Sequence, residues 1–492
     1  MKITEAEIEG KKFKTGPLNV IVGKNNSGKS TLLKELYATS RTTVKSASGN
    51  KWVDCVGVEI GEIKQLVNSM FSFPERLCEV RGLSAEEAFR YLKPRSVSVA
   101  AQGQSSAFHG SHLASIESSA AYESNQSIPV SLYPGSKIKQ TSDSPDYIVE
   151  YIVDLAASVC VRSELCDIRL AEPFKTNIDN VAVLEQTPTD QMAKLFCDPD
   201  NLKVINETVQ KVFGFRVGFD DIRQSEAFLR ILPESAHPRK WESEIEKSHW
   251  WENNSPLICD QGDGIKAFLK LLITLQDDTV DIIFIDEPET FLHPPQRRAI
   301  GEAIVVAAAM GKQVFVATHD ADVVRGLLTG SLNPEVIYLN VTDKQHTIEN
   351  INLTSLVDCG TAAKSISKNG VQMLNEKVIN SLFFDKTVLV ESENDRLIYE
   401  LFCQQRLYSE YQGRCFIGLH GSDTVLNLFD LMKASGMSVC CIVDLDFLLS
   451  KDLSSTFVNS LNPKLREKHV SFSEVLHERR DYSDIKKRLK SN

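Results

Sequence analysis

The sequence predicts an α/β protein: a domain with a mixed β-sheet and flanking helices, followed by a smaller parallel α/β unit. Three observations carry this. The apolar run Leu18–Val22 stops at Gly23, and a helical pattern (Leu32, Leu33, Leu36) begins at about Ser30. Two later apolar runs, 280–285 and 313–317, each end in polar residues, Asp286-Glu287 and Thr318-His319. Beyond residue 385 strand-like and helix-like stretches alternate, the pattern of βαβ units.

The bulk properties set limits. A chain of 492 residues is long enough for about three domains. The formal net charge of −11 excludes a uniformly basic nucleic-acid binder, so contact with DNA or RNA must use a local patch. The chain opens straight into a strand-like segment, and no apolar run approaches about 18 residues, so neither a signal peptide nor a membrane span is expected. The 11 cysteines are scattered without a C-x-x-C pair and read as reduced thiols of a cytoplasmic protein, not as metal ligands.

Taken in order, Ile3, Ile8 and Phe13 suggest an edge hairpin leading to the Val20 strand. Gly23 to Ser30 then spell G-x-x-x-x-G-K-[ST] in strand–turn–helix context. Gly23 and Gly28 let the backbone turn its N–H groups toward a phosphate chain, and the helix start adds a positive dipole end. Lys29 can reach the β- and γ-phosphates, and the Ser30 hydroxyl can bind Mg²⁺. With Asn25, Asn26, Ser27 and Thr31 these are the candidate ATP-binding residues.

A strand is expected at 56–60, and helices at 62–71 and 84–92, the latter opening with the capping box Ser84–Glu87. From 96 to about 146 the composition turns to serine, glycine and alanine, which reads as a mobile surface insertion or as a loop that orders on a partner. Residues 147–162 have helical period, 188–213 suggest two helices, and 215–232 a hairpin. Trp241, Trp250 and Trp251 read as a local hydrophobic cap in preference to a base-stacking site. Gly262 and Gly264 open the next helix and can present N–H groups to a phosphate.

The run 280–286 is an apolar strand ending in two carboxylates. Asp286 can hold Mg²⁺ through water, and Glu287 can polarise an attacking water. The strand ending at Thr318 brings His319 to a sheet edge where ligands gather, which favours a γ-phosphate contact. This order of motifs resembles the ATP-binding-cassette ATPases, in the soluble branch used in DNA repair and phage defence; Glu289–Pro294 matches the segment that follows the acidic strand there. The resemblance implies a homodimer or higher homo-oligomer formed through the ATPase heads, with the Gly262 region of one copy completing the ATP site of another. In this family serine often precedes the signature glycine, where this chain has Asp260-Gln261.

In the last third, Glu391 ends one strand, and Asp444 and Asp446 end another. If these strands are neighbours in a parallel sheet, the carboxylates converge, and residues i and i+2 point to one side. Hard oxygen ligands so arranged suit Mg²⁺ or Mn²⁺ and metal-assisted phosphodiester hydrolysis. Solvated strand-end acids are the plainer reading. The segments Val390-Glu391-x-x-x-Asp395 and Val443–Asp446 resemble a Toprim domain, with Ser392 where glycine is usual. A cassette ATPase followed by Toprim resembles the OLD (overcoming lysogenization defect) family, which includes Gabija-type and retron-associated effectors.

That resemblance implies domains at 1–345 and 385–492 joined by a helical linker, 346–384. It implies an ATP-regulated, metal-dependent DNA endonuclease with Glu287, His319, Glu391, Asp444 and Asp446 as catalytic residues. The metal ligands would be Ser30, Asp286, Glu391, Asp395, Asp444 and Asp446. The alternative is an ATPase sensor or assembly module whose Toprim part is degenerate and which acts through a partner protein or RNA. Only about 45 residues follow Asp446; Lys464 and Glu474 are further candidates there, and the tail turns basic at 479–490.

Overall fold

A computed structural model of the chain describes residues 1–40, 52–60, 97–101, 104–108, 128–133, 137–140, 161–164, 174–177, 191–223, 226–233, 243–278, 280–342, 345–353, 355, 376–419 and 421–444. The chain divides into two units, one of Met1–Ile21 with Lys29–Glu335, the other of Val22–Gly28 with Val336–Asn492. The phosphate-loop segment is therefore grouped with the later part of the chain.

The first unit opens with the hairpin β1 (Lys2–Ile8) and β2 (Lys11–Lys14). It joins β4 (Val53–Ile60), β7 (Ile128–Tyr133) and β8 (Lys137–Gln140) in an antiparallel sheet of order β2-β1-β4-β7-β8. β5 (Val97–Ala101) and β6 (Gln104–Phe108) pair with each other. The Ser-rich segment 96–146 thus contributes strands, two of which extend this sheet, where composition suggested a surface loop. Its alternation of Ile128, Val130 and Leu132 with Pro129 and Ser131 supplies the period of two that a strand needs.

The central strands are β3 (Leu18–Gly23), β13 (Ile282–Asp286) and β14 (Gln313–Thr318), every residue of them buried. Continuous apolar runs covered on both faces are the mark of parallel strands inside a sheet. β3, β14 and β13 lie in that order, with β9 (Val161–Glu164) beyond β13. β13 and β14 run parallel, Ile282 opposite Gln313 through Asp286 opposite Ala317, so Asp286 and Thr318 leave the sheet at one edge. β9 pairs in parallel with β13, Val161 opposite Ile282. Val161 and Arg162 are therefore strand, not the end of the expected helix, because pairing with the free edge of β13 overrides local period. Over this sheet lies α1 (Lys29–Thr39), whose Tyr37 ring meets Phe284 edge-on at 5.5 Å, and Phe284 stacks on Phe315 at 4.8 Å.

Around this core are α2 (Gln191–Cys197) and α3 (Pro199–Phe213), the hairpin β11 (Arg216–Arg223) and β12 (Glu226–Leu232) with β10 (Lys175–Asn177) beside β12, α4 (Glu244–Asn254) and α5 (Asp263–Gln276). Asp198 caps α3 ahead of Pro199, and Gly214 ends it in the left-handed conformation. Trp251 is buried with Trp250 edge-on to it at 5.4 Å, in keeping with a hydrophobic cap; Trp241 lies outside the described residues. α6 (Pro294–Ala309) links β13 to β14, and α7 (Ala321–Leu327) follows.

In the second unit β15 (Glu335–Thr342) and β16 (Gln345–Ile351) form an antiparallel hairpin. β17 (Lys386–Val390) sits between β18 (Arg414–Gly418) and β19 (Val439–Ile442), all parallel. The crossovers are α8 (Glu393–Arg406) with the short α9 (Tyr408–Tyr411), then α10 (Ser422–Ala434). Val388, Val390, Phe416 and Cys403 pack as its core. Burial pushes the Cys441 thiol in β19 up to about 11, so it stays protonated at neutral pH. Among the described residues no helix is long and apolar enough to cross a membrane.

Candidate functional site

The phosphate-loop residues have the conformation their types suggested. Gly23, Asn26 and Gly28 take positive φ values of 153°, 63° and 91°. A Cβ on Gly23 would lie 2.3 Å from the Leu339 carbonyl oxygen and 2.9 Å from Ser27 Oγ, so only glycine fits that turn. Ser27 is buried, and its hydroxyl has no hydrogen-bond partner among the described residues. The loop leads directly into α1 at Lys29, whose first-turn N–H groups are a ready acceptor site for anions.

Within the first unit Lys29 is buried. Desolvation lowers its pKa, against the pull of Glu287, Glu289 and Asp286. Ser30 Oγ donates to Asp286 Oδ1 at 2.9 Å. Burial raises the Asp286 carboxyl, with the Ser30 hydrogen bond opposing the shift. A hydroxyl against a buried carboxylate, both hard oxygen donors, fits a dication accompanying a nucleotide.

Beyond β13 the backbone turns sharply. Glu287 has φ 50°, and its N–H donates to the Ala317 carbonyl at 2.8 Å. A non-glycine residue held there is strained, which is common at functional sites. Its carboxylate is half-exposed and 3.4 Å from His319 Nδ1. Glu289, which sequence reasoning did not single out, is buried and organises the site from behind. Its Oε1 accepts from the Thr318 hydroxyl at 2.9 Å and from the His319 N–H at 3.0 Å, and it lies 3.1 Å from His319 Nδ1. That last contact is close but not aligned as a hydrogen bond, and Glu289 Oε2 is buried without a partner among the described residues. Burial raises the Glu289 carboxyl, with the His319 N–H among the groups opposing it. The one signal in the sequence was its place two residues after Glu287 in a turn.

The structure thus brings together Lys29, Ser30, Asp286, Glu287 and His319, with Glu289 beneath. Of the two glycines at the start of α5, Gly264 has a packing role, whereas a Cβ on Gly262 would meet nothing within 4 Å. A Cβ on Gly264 would come 2.6 Å from the Phe291 carbonyl oxygen, so its bareness lets the helix start approach the turn after β13. Gly262 is the N-cap of α5, with no side-chain cap hydrogen bond.

In the second unit the parallel sheet brings two expected site residues, Glu391 and Asp444, side by side. The Asp444 N–H donates to Glu391 Oε1 at 2.7 Å. Glu391 follows β17, and Asp444 follows β19 beside it. The Gly421 N–H also donates to the Glu391 carbonyl at 3.0 Å, tying down the strand end. Asp446, Lys464 and Glu474 lie outside the described residues. Asp395 is engaged at the start of α8: its N–H donates to Ser392 Oγ at 3.1 Å, and Ser392 Oγ donates to Asp395 Oδ2 at 2.6 Å. Beside it, Lys377 and Arg396 each donate to Glu393 at 2.7 Å and hold its carboxyl below the usual range against the opposing effect of burial. Among the described residues no three metal-ligating side chains already converge on one point. Glu391 and Asp444 have the right donor chemistry for a hard dication but make only part of a ligand set.

Residues 257–325 match the family model described as "AAA domain, putative AbiEii toxin, Type IV TA system". Residues 382–446 match the overcoming lysogenization defect protein-like TOPRIM domain. The chain therefore carries an AAA-type ATPase segment followed by an OLD-like Toprim segment. The Old nuclease of Escherichia phage P2 is 25% identical over 194 residues, 38% of this chain and 32% of that protein. The chain matches about a third of that relative's length.

Among solved structures, an SmcHead bound to the C-winged helix domain of ScpA aligns over 72% of this chain and 99% of its own, at 13% identity and TM-score 0.40. The SMC head domain from Thermotoga maritima aligns over 71% and 99%, at 8% identity and TM-score 0.33.

Proposed function

We propose that the chain is an ATP-regulated, metal-dependent DNA endonuclease of the OLD type, acting in anti-phage defence. The observation that carries the nuclease half is the 2.7 Å hydrogen bond from the Asp444 N–H to Glu391, which holds two Toprim-type carboxylates at one end of a parallel sheet. A divalent cation bound by Glu391 and Asp444, with Asp446 and Asp395 as further candidate ligands, would neutralise phosphate charge and activate water. Glu391 is oriented for this by two backbone N–H groups, one to its side chain and one to its carbonyl.

The ATP half rests on Lys29, Ser30 and Asp286 around the nucleotide phosphates. Glu287 would accept a proton from water, a role supported by His319 Nδ1 3.4 Å away and by the hydrogen bond from the His319 N–H to Glu289. Assembly of two or more copies through ATP-bound heads would be the route by which nucleotide controls cleavage.

One observation favours a second reading. The carboxylate of Asp395 is taken up by Ser392 at the helix cap, which suits a degenerate metal site and an ATPase module acting through a partner protein or RNA.

Plasmid nicking with Mg²⁺ or Mn²⁺, with and without ATP, separates the two. Metal-dependent nicking is expected, falling at least 100-fold in both Glu391→Ala and Asp444→Ala. Nicking that persists in both variants overturns the site, and its complete absence in the wild type favours the second reading.

A further inference from the structure

We propose that α8 is a self-association surface on which a second copy of this chain docks, helix against antiparallel helix, about a two-fold axis between Tyr399 and Glu400. The inference does not depend on the nuclease reading. The starting observation is exposure. Leu397, Ile398, Leu401 and Phe402 are 54%, 64%, 54% and 59% exposed, and Tyr408 just beyond the helix is 62% exposed. Of the whole of α8 only Cys403 is buried. Residues at i, i+1, i+4 and i+5 form one stripe on a helix, opposite the side that carries Cys403. Four adjacent large apolar side chains, each more than half exposed, make a contiguous patch of the kind that marks interaction sites on soluble proteins.

The choice of a second copy over another partner comes from charge and pattern. The charged side chains from Glu393 to Glu400 are already paired inside the unit. Lys377 and Arg396 bind Glu393, Ser392 binds Asp395, and Arg396 and Tyr411 bind Glu400. The stripe itself is apolar, and the charges beside it from Glu393 to Glu400 are committed to these partners, so it has little free charge with which to recognise nucleic acid or a charged peptide.

Its sequence is symmetric. Asn394, Leu397, Ile398, Leu401, Phe402 and Gln405 are spaced identically about the point between 399 and 400. An antiparallel copy related by a two-fold there sets Leu397 against Phe402, Ile398 against Leu401, and the exposed amides of Asn394 and Gln405 against each other at both ends. Self-complementarity of this kind is what a closed two-fold interface requires. Because α8 starts two residues after Glu391, the same axis would hold two carboxylate sites at a fixed spacing.

The symmetry gives the test. Asn394→Cys and Gln405→Cys are made singly in the full chain and treated with a short thiol cross-linker, alone and mixed, without nucleotide. Eleven positions apart on a helix is roughly 16 Å, too far for either variant to bridge to itself. The proposal predicts a cross-linked dimer in the mixture at least fivefold above either variant alone and above the unsubstituted chain. Ile398→Glu with Leu401→Glu, followed by sedimentation at micromolar concentration, should shift the mass from dimer toward monomer. Equal cross-linking in mixed and unmixed samples, or none above the unsubstituted chain, overturns the proposal. The second result would also be the outcome if another segment of the chain or a different protein covers the stripe.

Discussion

Glu289 shows how one buried acid can set the geometry of a site without facing it. Its Oε1 is the acceptor for both the Thr318 hydroxyl and the His319 N–H. Glu289→Ala would leave both donors without that acceptor inside the protein, at a cost of about 1–3 kcal/mol. Glu289→Gln keeps an acceptor oxygen, and its effect depends on pH in a defined sense. The folded-state pKa of Glu289 is raised above its ordinary 4.5, burial being the main cause. The folded protein therefore holds this proton over a range where the unfolded chain has released it, and stability from this group falls as pH rises through that range. The glutamine variant loses this slope, so its melting temperature relative to wild type should rise from pH 4.5 to pH 8. Melts at the two pH values check this, and a constant difference between the proteins would refute it. This role was hard to read from sequence because the two carboxylates of Glu287 and Glu289 look alike in a turn. Both approach His319 Nδ1, but with Glu287 at positive φ its carboxylate stays half-exposed while that of Glu289 is buried.

For the elements, legibility followed hydrophobic continuity. β3, β13 and β14 are buried along their whole length and were readable as uninterrupted apolar runs with chemistry at their ends. β9 was not, since Val161 and Arg162 continue a helical period and become strand only because β13 offers an edge. Gly264 was legible as a helix start but not as a packing device, because the Phe291 carbonyl that demands a bare α-carbon comes from a distant turn. The same holds for Ser392, which replaces the glycine of the resembling family. It has φ −138°, an extended conformation open to any residue, and its hydroxyl caps α8. Ser392→Gly should therefore cost only a few tenths of a kcal/mol, and Ser392→Ala about 1 kcal/mol. Denaturant unfolding of the two variants checks this. A glycine variant that is markedly less stable than the alanine one would show that the cap does not hold α8. The stripe on α8 has the spacing of an ordinary buried helix face, and nothing in its residue types marks it as lying outside the core.

At the scale of the whole molecule, the proposed function assigns nucleotide chemistry and metal-dependent cleavage to different side chains, so each set can be removed alone. Lys29, Ser30, Asp286 and Glu287 belong to the first unit, Glu391 and Asp444 to the second. A ligand that binds the folded chain raises its stability by RT ln(1 + [L]/Kd), about 2.7 kcal/mol at 100 times Kd. ATP with Mg²⁺ should thus raise the melting temperature of the wild type. Lys29→Met replaces the buried ammonium with a side chain of similar length but removes the group that meets the phosphates. The variant should lose at least tenfold in nucleotide affinity, about 1.4 kcal/mol, and most of the thermal shift. Asp444→Ala removes a carboxylate from the other site and should keep the full shift while losing nicking. If Asp444→Ala also abolishes the nucleotide-induced shift, the two sets of residues are not separable, and the assignment of ATP binding to Lys29 and its neighbours alone fails. If Lys29→Met keeps the shift, the phosphate loop is not where the nucleotide is held.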